Sequence, residues 1–516
     1  MDGQYYGYEN IQVKENKYGR AERVFAFAAF AVGYLLLKSF TGGSDGGAGL
    51  GACVSTVLLI AAVAAYFGVK GVKQRAGNFA YLAFTAAFSL VYVLSDNVFI
   101  KFLVSVFILL AVTFYMYFTA GSGRGGFIND MFVFDMIKST FIMPFSSFTA
   151  VFPAAFRTEK DVKKGGFRFW HVLVGLALTA IPTAAAAVLL AHADPGFSKL
   201  LHDAGEFLSR GIGEEILRLI FCVPVAMYFF GGLYSNAAGK LRNVLTDEHR
   251  ERFLKAVSFV PSAAAYAAVT PLFILYIVFL SVQAKYYFGG FSSELPDGMT
   301  LAEYARTGFF ELCAVAVINA AVIIALVVFT KKKSDGKPSA ALKIFSVILC
   351  LFTLLLIAVA ISKMVLYIKG YGLTELRVYT SWFMILLAFA FIFIIIKQLW
   401  SGFNFFAALA AAFAVLFGAL CFCDVDARIA EYNVNRYISG ADADIDVNKL
   451  ANLSDSAIPY IIKLTVPYEN KSEEKNDSTV TKAKEIIDSR KESESADAGV
   501  IYFNIPRSRA NALVKK

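Results

Sequence analysis

Apolar and polar residues alternate along this 516-residue chain in long blocks. A helix needs about 20 mostly apolar residues to cross a lipid bilayer, and many of the apolar blocks reach that length. Short charged loops separate them, so they indicate membrane spans and not one large soluble core. About eleven predicted spans lie near 24–40, 52–69, 79–95, 98–119, 171–192, 215–235, 260–283, 309–330, 344–366, 378–397 and 404–423.

The predicted fold is therefore all-α, a polytopic helical membrane protein with a small helical domain after the last span. The third and fourth spans are separated only by Ser95-Asp96-Asn97, which predicts a tight helical hairpin. The predicted parts are a cytoplasmic tail (1–22), spans one to four (23–120), a cytoplasmic interfacial segment (121–170), spans five to eleven (171–423) and an extracytoplasmic helical domain (424–516).

Composition supports this prediction and excludes several classes of protein. Hydrophobic residues make up 58% of the chain and charged residues 17%, against about 45–50% and about 25% in soluble domains. A cytosolic enzyme, a secreted disulfide scaffold and a nucleic-acid-binding domain are excluded. The six cysteines lie in or beside apolar runs and none forms a CxxC pair, so neither a zinc site nor a disulfide framework is predicted.

The distribution of Lys and Arg predicts the orientation. The net charge is +9, and the excess lies in the membrane part, because residues 424–516 carry more acidic than basic side chains. Basic residues are concentrated before the first span and after the second, fourth, sixth and eighth. Cytoplasmic loops carry such an excess, so the N-terminus is predicted to be cytoplasmic. An odd number of spans then places residues 424–516 on the extracytoplasmic side of the membrane, with membrane lipids as partners.

The segment Phe127–Phe156 differs from a simple span. Phenylalanines and a methionine recur every three or four residues, which is typical of an apolar stripe along a helix. Lys138 interrupts the stripe, and Pro144 and Pro153 are expected to kink the helix. A helix in the cytoplasmic interface is predicted, with packing against the bundle or docking of a partner as alternatives. The stripe consists of Phe127, Met131, Phe134, Phe141, Phe145, Phe148 and Phe152.

The region after the last span has a helical, water-soluble pattern. Asp424–Ser439 is predicted to continue outward from the eleventh span, and Ser454 to cap a short helix that reaches Leu464. Lys471–Asp477 reads as a charged loop, followed by a helix over Ser478–Lys491 and a last short helix over Arg507–Val514.

Polar residues on both sides of the last two spans form a candidate collar. Thr374 is expected to cap the tenth helix. Glu375 lies in the first turn of that helix, where the helix dipole favours a carboxylate. Arg377 is expected to pair with Asp424 or Asp426. The collar either closes the bundle and docks the tail, or forms a substrate or ion site; a catalytic carboxylate pair is a weaker alternative. The collar comprises Tyr371, Thr374, Glu375, Arg377, Asp424, Asp426, Arg428, Glu431, Asn433 and Arg436.

Inside the membrane, ionisable residues are functional candidates by default. Glu311, Asn319 and Lys363 are the intramembrane polar candidates, with Glu311 and Lys363 expected either to pair or to extend towards the interface. The acidic run from Asp442 looks like a calcium loop but has Val447 and Leu453 where Gly and Glu are required, so no metal site is predicted. No nucleophile, phosphate-binding or zinc motif occurs in a suitable context, and neither a catalytic residue nor a cofactor is assigned.

Four motifs carry a resemblance to known families. Together, in this order, they resemble the bacterial multi-pass membrane proteins of the domain-of-unknown-function 4153 and 4173 families, whereas the N-terminal half is similar only in being polytopic. The resemblance implies a bacterial envelope protein and supplies no reaction, substrate or cofactor. The motifs are Tyr371–Thr380, Asp426–Tyr437, Leu453–Pro459 and Phe503–Ala510.

Three functions are compatible with these features. The leading hypothesis is a non-enzymatic protein of the bacterial envelope with an interaction or sensing role, which implies an envelope protein as partner besides the lipids. A transporter or flippase-like carrier of a small or lipid-linked substrate is the alternative, with Pro182, Pro224 and Pro271 as candidate kinks. A membrane-embedded enzyme is third. The sequence predicts no oligomeric state.

Overall fold

The computed structural model confirms an all-α protein. Its described residues contain no strand, only one isolated bridge between Val260 and Thr330. The described residues are 18–41, 48–121, 128–129, 132–156, 168–209, 212–239, 252, 256–290, 309–331, 339–442, 444–468, 473–493 and 499–515.

Ten helices of the described chain are long and apolar enough to cross a membrane, which shows a multi-pass membrane protein. The length of each helix follows from the length of its apolar run, because a helix is stabilised mainly by the packing of its apolar face. They are α1 (Arg20–Thr41), α2 (Leu50–Val69), α3 (Ala76–Ser89, continued by Val91–Leu94), α4 (Val98–Thr119), α9 (Ile212–Ala237), α10 (Ser262–Gly290), α11 (Phe309–Phe329), α12 (Ala340–Tyr371), α13 (Glu375–Leu399) and α14 (Phe405–Phe422).

The predicted count of about eleven spans agrees with the structure, in which ten helices of the described residues pass the length and hydropathy test, or up to eleven if one bent pair is counted as a span. Helices α5 (Phe132–Ser146) and α6 (Phe148–Phe156) are bent by 47° and pass the same test only as a pair. The predicted span 171–192 lies within helix α7 (Arg168–Ala193), which contains the short apolar helix Pro182–Ala193. A second short helix, α8 (Pro195–Ser209), follows it.

The pair α5–α6, here called the bent segment, is not one continuous amphipathic helix. It contains a π-helical stretch, Lys138–Ile142, and a 3₁₀ turn at Phe148–Ala150. Lys138 and its neighbours Ser139 and Thr140 are buried, and the segment packs against α1, α4 and α9. Packing against the bundle is therefore observed on this face. Phe127 and Met131 of the predicted stripe lie outside the described residues.

The aromatic stripe of the bent segment is exposed in its first part and packed against α9 at its end. Phe134, Phe141 and Phe145 are exposed, whereas Phe152 is buried beside Met227 and Phe230 of α9. The backbone approaches α9 closely at Gly231, where an added Cβ would lie 2.5 Å from the Pro144 carbonyl oxygen. Among the described residues, the pattern of three and four thus marks an exposed face at Phe134, Phe141 and Phe145, but not at Phe148 and Phe152.

Two apolar cores hold the bundle together. One core contains residues of helices α1, α2, α3, α4 and α14 and of the start of the tail. The other contains residues of helices α10, α11, α12 and α13. Since α1 and α2 are antiparallel, Arg20 and Lys70 share one end of the bundle, where Lys70 is paired with Glu22. The other end carries residues 49–51, 95–97, 372–375 and 424, and is called the tail end.

The tail folds as a small helical domain against the tail end. Its core includes Val434, Tyr437, Leu464 and Ala510, which all are buried. The last segment, 499–515, returns to the bundle and is called the strap. The tail helices are α15 (Val425–Ile438), α16 (Val447–Ala451), α17 (Ile458–Ile461, with 3₁₀ turns on both sides), α18 (Glu473–Ser493) and α19 (Ile505–Val514).

Two predictions about the tail are corrected by these boundaries. A helix does follow the last span over the predicted region, but it is a separate helix, because Asp424 adopts a left-handed conformation (φ 48°) between α14 and α15. Helix α18 begins at Glu473, so part of the predicted loop Lys471–Asp477 is helical. Ser454 precedes the short helix as predicted, but its side chain makes no capping hydrogen bond.

Candidate functional site

The hairpin turn between α3 and α4 presents two buried polar side chains at the tail end. Asn97 caps α4, because its Oδ1 atom accepts a hydrogen bond from the Ile100 amide at 2.9 Å. That bond fixes the orientation of the side chain and directs the Nδ2 group towards α13 and α15. The neighbouring Asp96 is buried as well.

Asn97 brings two carboxylates together. Its Nδ2 atom lies 2.8 Å from Glu375 Oε1, and 2.9 and 3.0 Å from the two carboxylate oxygens of Asp426. Asp426 is only 1% exposed and also accepts a hydrogen bond from the Ser454 amide at 3.1 Å. One amide group of the hairpin therefore connects the first turn of α13 to the first turn of α15.

Asp96 is the centre of a second set of contacts. Its Oδ1 atom accepts a hydrogen bond from Asn504 at 2.8 Å, lies 3.2 Å from the Lys101 ammonium and 3.5 Å from the Arg507 guanidinium. Asn504 also caps α19 by accepting from the Arg507 amide. The strap is thereby attached to the hairpin through a buried carboxylate.

The ionic network continues into the tail through Asp455. Arg507 Nε lies 3.5 Å from Asp455 Oδ2, and Arg490 of α18 donates to the same oxygen. Removing one partner of a buried ion pair leaves the other charge uncompensated, which is costly. The network of hairpin, strap, short helix and α18 therefore fixes the tail to the bundle.

These two sets of side chains line one cavity of 410 Å³, here called the chamber. Its size falls in the range of small-molecule sites, about 300–1,000 Å³. Four carboxylates and two guanidinium groups face it, and apolar residues of α4 lie at its edge. The lining is Asp96, Asn97, Val98, Phe99, Glu375, Asp426, Asn452, Leu453, Ser454, Asp455, Arg490 and Arg507.

Arg377 does not take the predicted part in this arrangement. Its guanidinium donates to the carbonyl oxygens of Tyr371 and Gly372 and lies 3.9 Å from the centre of the Tyr367 ring. The predicted ion pair with Asp424 or Asp426 is wrong, because Arg377 faces the end of α12. Cations are favourable at such C-terminal ends.

Asp424 has a capping role at the break before α15. Its carboxylate accepts from the Ala427 amide at 3.5 Å, and its left-handed backbone turns the chain from the bundle into the tail. Burial raises the pKa of Asp424 above its ordinary value, and nearby Asp426 adds to this effect. The folded structure therefore disfavours the ionised form of this carboxyl group.

Asn433 and Arg436 share a face, as predicted, and contact the connection between α12 and α13. Asn433 accepts from the Leu373 amide and donates to the Leu373 carbonyl, both at 2.8 Å. Arg436 donates to the Lys369 carbonyl and pairs with Asp442, which raises the pKa of the guanidinium.

The remaining collar residues lie apart from the chamber. Arg428 and Glu431 form an exposed pair at 3.0 Å on α15. Tyr371 and Thr374 line a second cavity, of 330 Å³, together with Asn433 and Glu375. Thr374 precedes α13 as predicted, but its side chain makes no capping hydrogen bond. The collar is thus divided between two cavities and the tail surface.

The intramembrane candidates lie in the second core. Asn319 accepts from the Tyr276 hydroxyl and donates to Thr353 at 2.9 Å, which links α11 to α10 and α12. Such hydrogen bonds join helices in membranes. Lys363 is buried and attracted electrostatically by Glu311, whose side chain is exposed, but no contact within 4.0 Å between the two is present.

Sequence reasoning missed the hairpin and the strap as parts of the site. Asp96 and Asn97 were assigned only to a turn, although two adjacent polar residues between apolar spans are a signal of a functional membrane-boundary position. Asp455, Asn504 and Arg507 occur in the resemblance motifs, so their order along the chain was noted while their spatial convergence was not.

Comparisons with known proteins identify a family without a described activity. The family model described as "Domain of unknown function (DUF4153)" matches residues 82–464. The match extends further towards the N-terminus than the resemblance suggested, and it ends before the Phe503–Ala510 motif. No curated protein and no solved structure matches the chain. Among the described residues, no group of three or more His, Cys, Asp or Glu side chains is placed to hold a metal ion.

Proposed function

The chain belongs to the DUF4153 family, and we propose that it is a non-enzymatic sensing or interaction protein of the bacterial cytoplasmic membrane. In this proposal the N-terminus is cytoplasmic and the tail faces the outside, where a small molecule or an envelope protein reaches it. The tail reports the state of the chamber to its partners.

One observation carries this proposal: the chamber has walls from both parts of the molecule. The bundle contributes Asn97 and Glu375, and the tail contributes Asp455 and Arg490. A molecule bound there contacts both parts at once. It therefore shifts the equilibrium between docked and released tail by its difference in affinity for the two states.

The strap provides the readout for a test. Hydrogen exchange of residues 499–515 is measured in the full-length protein in lipid nanodiscs, with and without a panel of small polar solutes. A sensing protein shows a solute-dependent change in strap protection. Unchanged protection with every solute, although one of them binds, contradicts the proposal.

A matched pair of variants links the readout to the network. Arg507→Gln removes the contacts with Asp96 and Asp455, whereas Arg509 on the same helix is exposed. Arg507→Gln is expected to increase strap exchange and to abolish its response to the solute, while Arg509→Gln is not. Equal behaviour of the two variants contradicts a role of the network.

A carrier is the second candidate, because the membrane part contains interrupted helices. The bent segment has a 47° break, and Pro182, Pro224 and Pro271 all lie inside helices. Broken helices at membrane depth are typical of transporters. The transport of a solute that protects the strap is therefore also measured in proteoliposomes. Transport that requires the protein supports the carrier, and binding without transport supports sensing.

A further inference from the structure

Two carboxylates of the chamber, Glu375 and Asp426, have more acceptor capacity than the neighbouring donors fill. Asn97 Nδ2 carries two hydrogens, yet four acceptor atoms lie within 3.1 Å of it: three carboxylate oxygens of Glu375 and Asp426, and the Tyr379 hydroxyl. The Ser454 amide supplies one further donor to Asp426, and the Tyr379 hydroxyl donates to Glu375 Oε1 at 3.5 Å. A ligand with several N–H donors and a positive charge complements this side of the chamber.

The opposite chemistry lies in the same cavity. Arg490 and Arg507 both line it; Arg490 pairs with Asp455, and Arg507 lies 3.5 Å from both Asp455 and Asp96. A guanidinium has five N–H donors in a planar fork, which suits the oxygens of a phosphate group. These two side chains therefore form a place for an anionic group beside the carboxylates.

The edge of the chamber adjoins the membrane part. Val98 and Phe99 begin the apolar helix α4, and their side chains are 65% and 45% exposed. In the proposed orientation, these exposed apolar side chains lie where the chamber meets the end of a membrane span. A polar group can therefore enter the chamber while an attached hydrocarbon chain remains in the bilayer.

From these three features we infer that the chamber binds a zwitterion that carries a primary ammonium group and a phosphate group. The ammonium lies against Glu375 and Asp426, and the phosphate against Arg490 and Arg507. This chemistry occurs in a lipid headgroup and in the free headgroup alike. The inference rests on the proposed function, since it names the ligand class of the same chamber.

Phosphoethanolamine is the probe for a direct test. Its affinity for the purified full-length protein in detergent is measured by calorimetry, beside ethanolamine, inorganic phosphate and phosphocholine. Phosphoethanolamine is expected to bind at least about tenfold more tightly than each of the others, because only it has both charges and three N–H donors. Equal affinity for phosphocholine or for phosphate overturns the inference.

Variants separate the two halves of the site. Glu375→Gln is expected to lower the affinity at least about tenfold, and Asp426→Asn serves as a second variant if the first does not fold. Glu431→Gln is the matched control, because Glu431 lies on the tail surface, away from the chamber, and pairs with Arg428. Loss of affinity in Glu431→Gln, or full affinity in both chamber variants, overturns the assignment.

Two further comparisons distinguish a lipid headgroup from the free zwitterion as the ligand, and a failure of the ligand assignment from a failure of the sensing proposal. In nanodiscs, phosphatidylethanolamine is compared with phosphatidylglycerol as the host lipid. If phosphatidylethanolamine protects the strap and reduces binding of the free probe, the lipid headgroup is the ligand; if the probe binds equally in both hosts, the free zwitterion is. If neither binds while another solute protects the strap, the zwitterion is wrong and the sensing proposal stands.

Discussion

Arg377 stabilises the end of a neighbouring helix. It belongs to α13, but its guanidinium contacts two carbonyl oxygens at the end of α12 and the Tyr367 ring. Arg377→Ala is expected to lower the free energy of unfolding by about 1–3 kcal/mol, the range for cation–π contacts and charged hydrogen bonds together. Arg377→Lys should recover only part, because an ammonium lacks the planar fork. Thermal unfolding in detergent measures both.

The control for this prediction is Arg428, which forms an exposed pair with Glu431. Arg428→Ala should cost about 0–1 kcal/mol, as exposed pairs do. The double variant Arg377→Ala with Asp426→Asn should be additive, because the two side chains contact different groups. A clear coupling energy between them would restore the ion pair that the sequence suggested.

Asp424 makes stability depend on pH in a definite direction. Its pKa is raised by burial, so ionisation costs folding free energy above the folded-state pKa, and this cost disappears as the pH falls below the ordinary Asp value of about 3.9. Asp424→Asn retains a side-chain oxygen for the Ala427 amide and tolerates the left-handed backbone. It is expected to raise the melting temperature at neutral pH.

The size and the pH profile of this gain are the test. The gain should be about 1 kcal/mol at most, because Asp424 is only partly buried and solvent screens it. Comparing variant and wild type at each pH cancels the titration of all other groups. A gain that persists unchanged below pH 4, or a loss at neutral pH, contradicts the assigned direction.

Single residues show where sequence reasoning reaches and where it stops. The sequence predicts that Glu375, Asp426 and Asn433 lie near one end of the bundle, because the helical rise fixes their distance from the apolar runs, and the structure places them at the tail end. The partners of Arg377 and Asp96 were not predictable in this way. They depend on the rotation of each helix and on the path of the strap, neither of which is determined by local pattern.

At the scale of elements, the contact between the strap and α2 requires glycine. A Cβ at Gly49 would lie 2.6 Å from the backbone of Tyr502 and Phe503, and the Leu50 amide donates to the Phe503 carbonyl at 2.9 Å. Gly49→Ala must therefore displace the strap, with a cost of about 1–3 kcal/mol as for other overpacked contacts. Hydrogen exchange of the Leu50 amide should rise about tenfold or more.

Gly68 provides the matched control on the same helix. It is exposed, and a Cβ there meets nothing within 4 Å. Gly68→Ala is expected to leave strap exchange unchanged and to stabilise α2 slightly, because Ala is the better helix former. If Gly49→Ala behaved like Gly68→Ala, the docking of the strap on α2 would be refuted.

The bent segment shows how an element can be predicted correctly in pattern and incompletely in structure. Its aromatic spacing indicated one apolar face, and Phe134 and Phe141 do share an exposed side. The opposite face, in contrast, is buried against α4 and α9, because the absence of a side chain at Gly231 allows the backbone at Pro144 to approach α9 closely. Periodicity describes one helix, whereas close helix contacts depend on small residues elsewhere in the chain.

At the scale of the whole molecule, the tail and its attachment define two ends of the bundle. The helical domain was predicted from its polar, helical pattern, and its packing on the tail end follows from α14 leading directly into α15. The charge bias of the loops predicts which end faces the cytoplasm. Ser401, between α13 and α14, lies at the end opposite to the tail and is exposed.

The orientation can be tested with one pair of single cysteines. The background carries Cys423→Ser, because Cys423 is the exposed cysteine. Lys449→Cys places a thiol on the tail, where the side chain is 70% exposed, and Ser401→Cys places one at the opposite end. In intact cells a membrane-impermeant maleimide should label position 449 and not 401, and permeabilisation should allow labelling of both.

Labelling of 401 alone would mean that the whole molecule is inverted and that the chamber opens to the cytoplasm. Labelling of both in intact cells would mean that the two positions do not lie on opposite sides of the membrane. The assignment of α13 and α14 as two membrane spans would then be wrong.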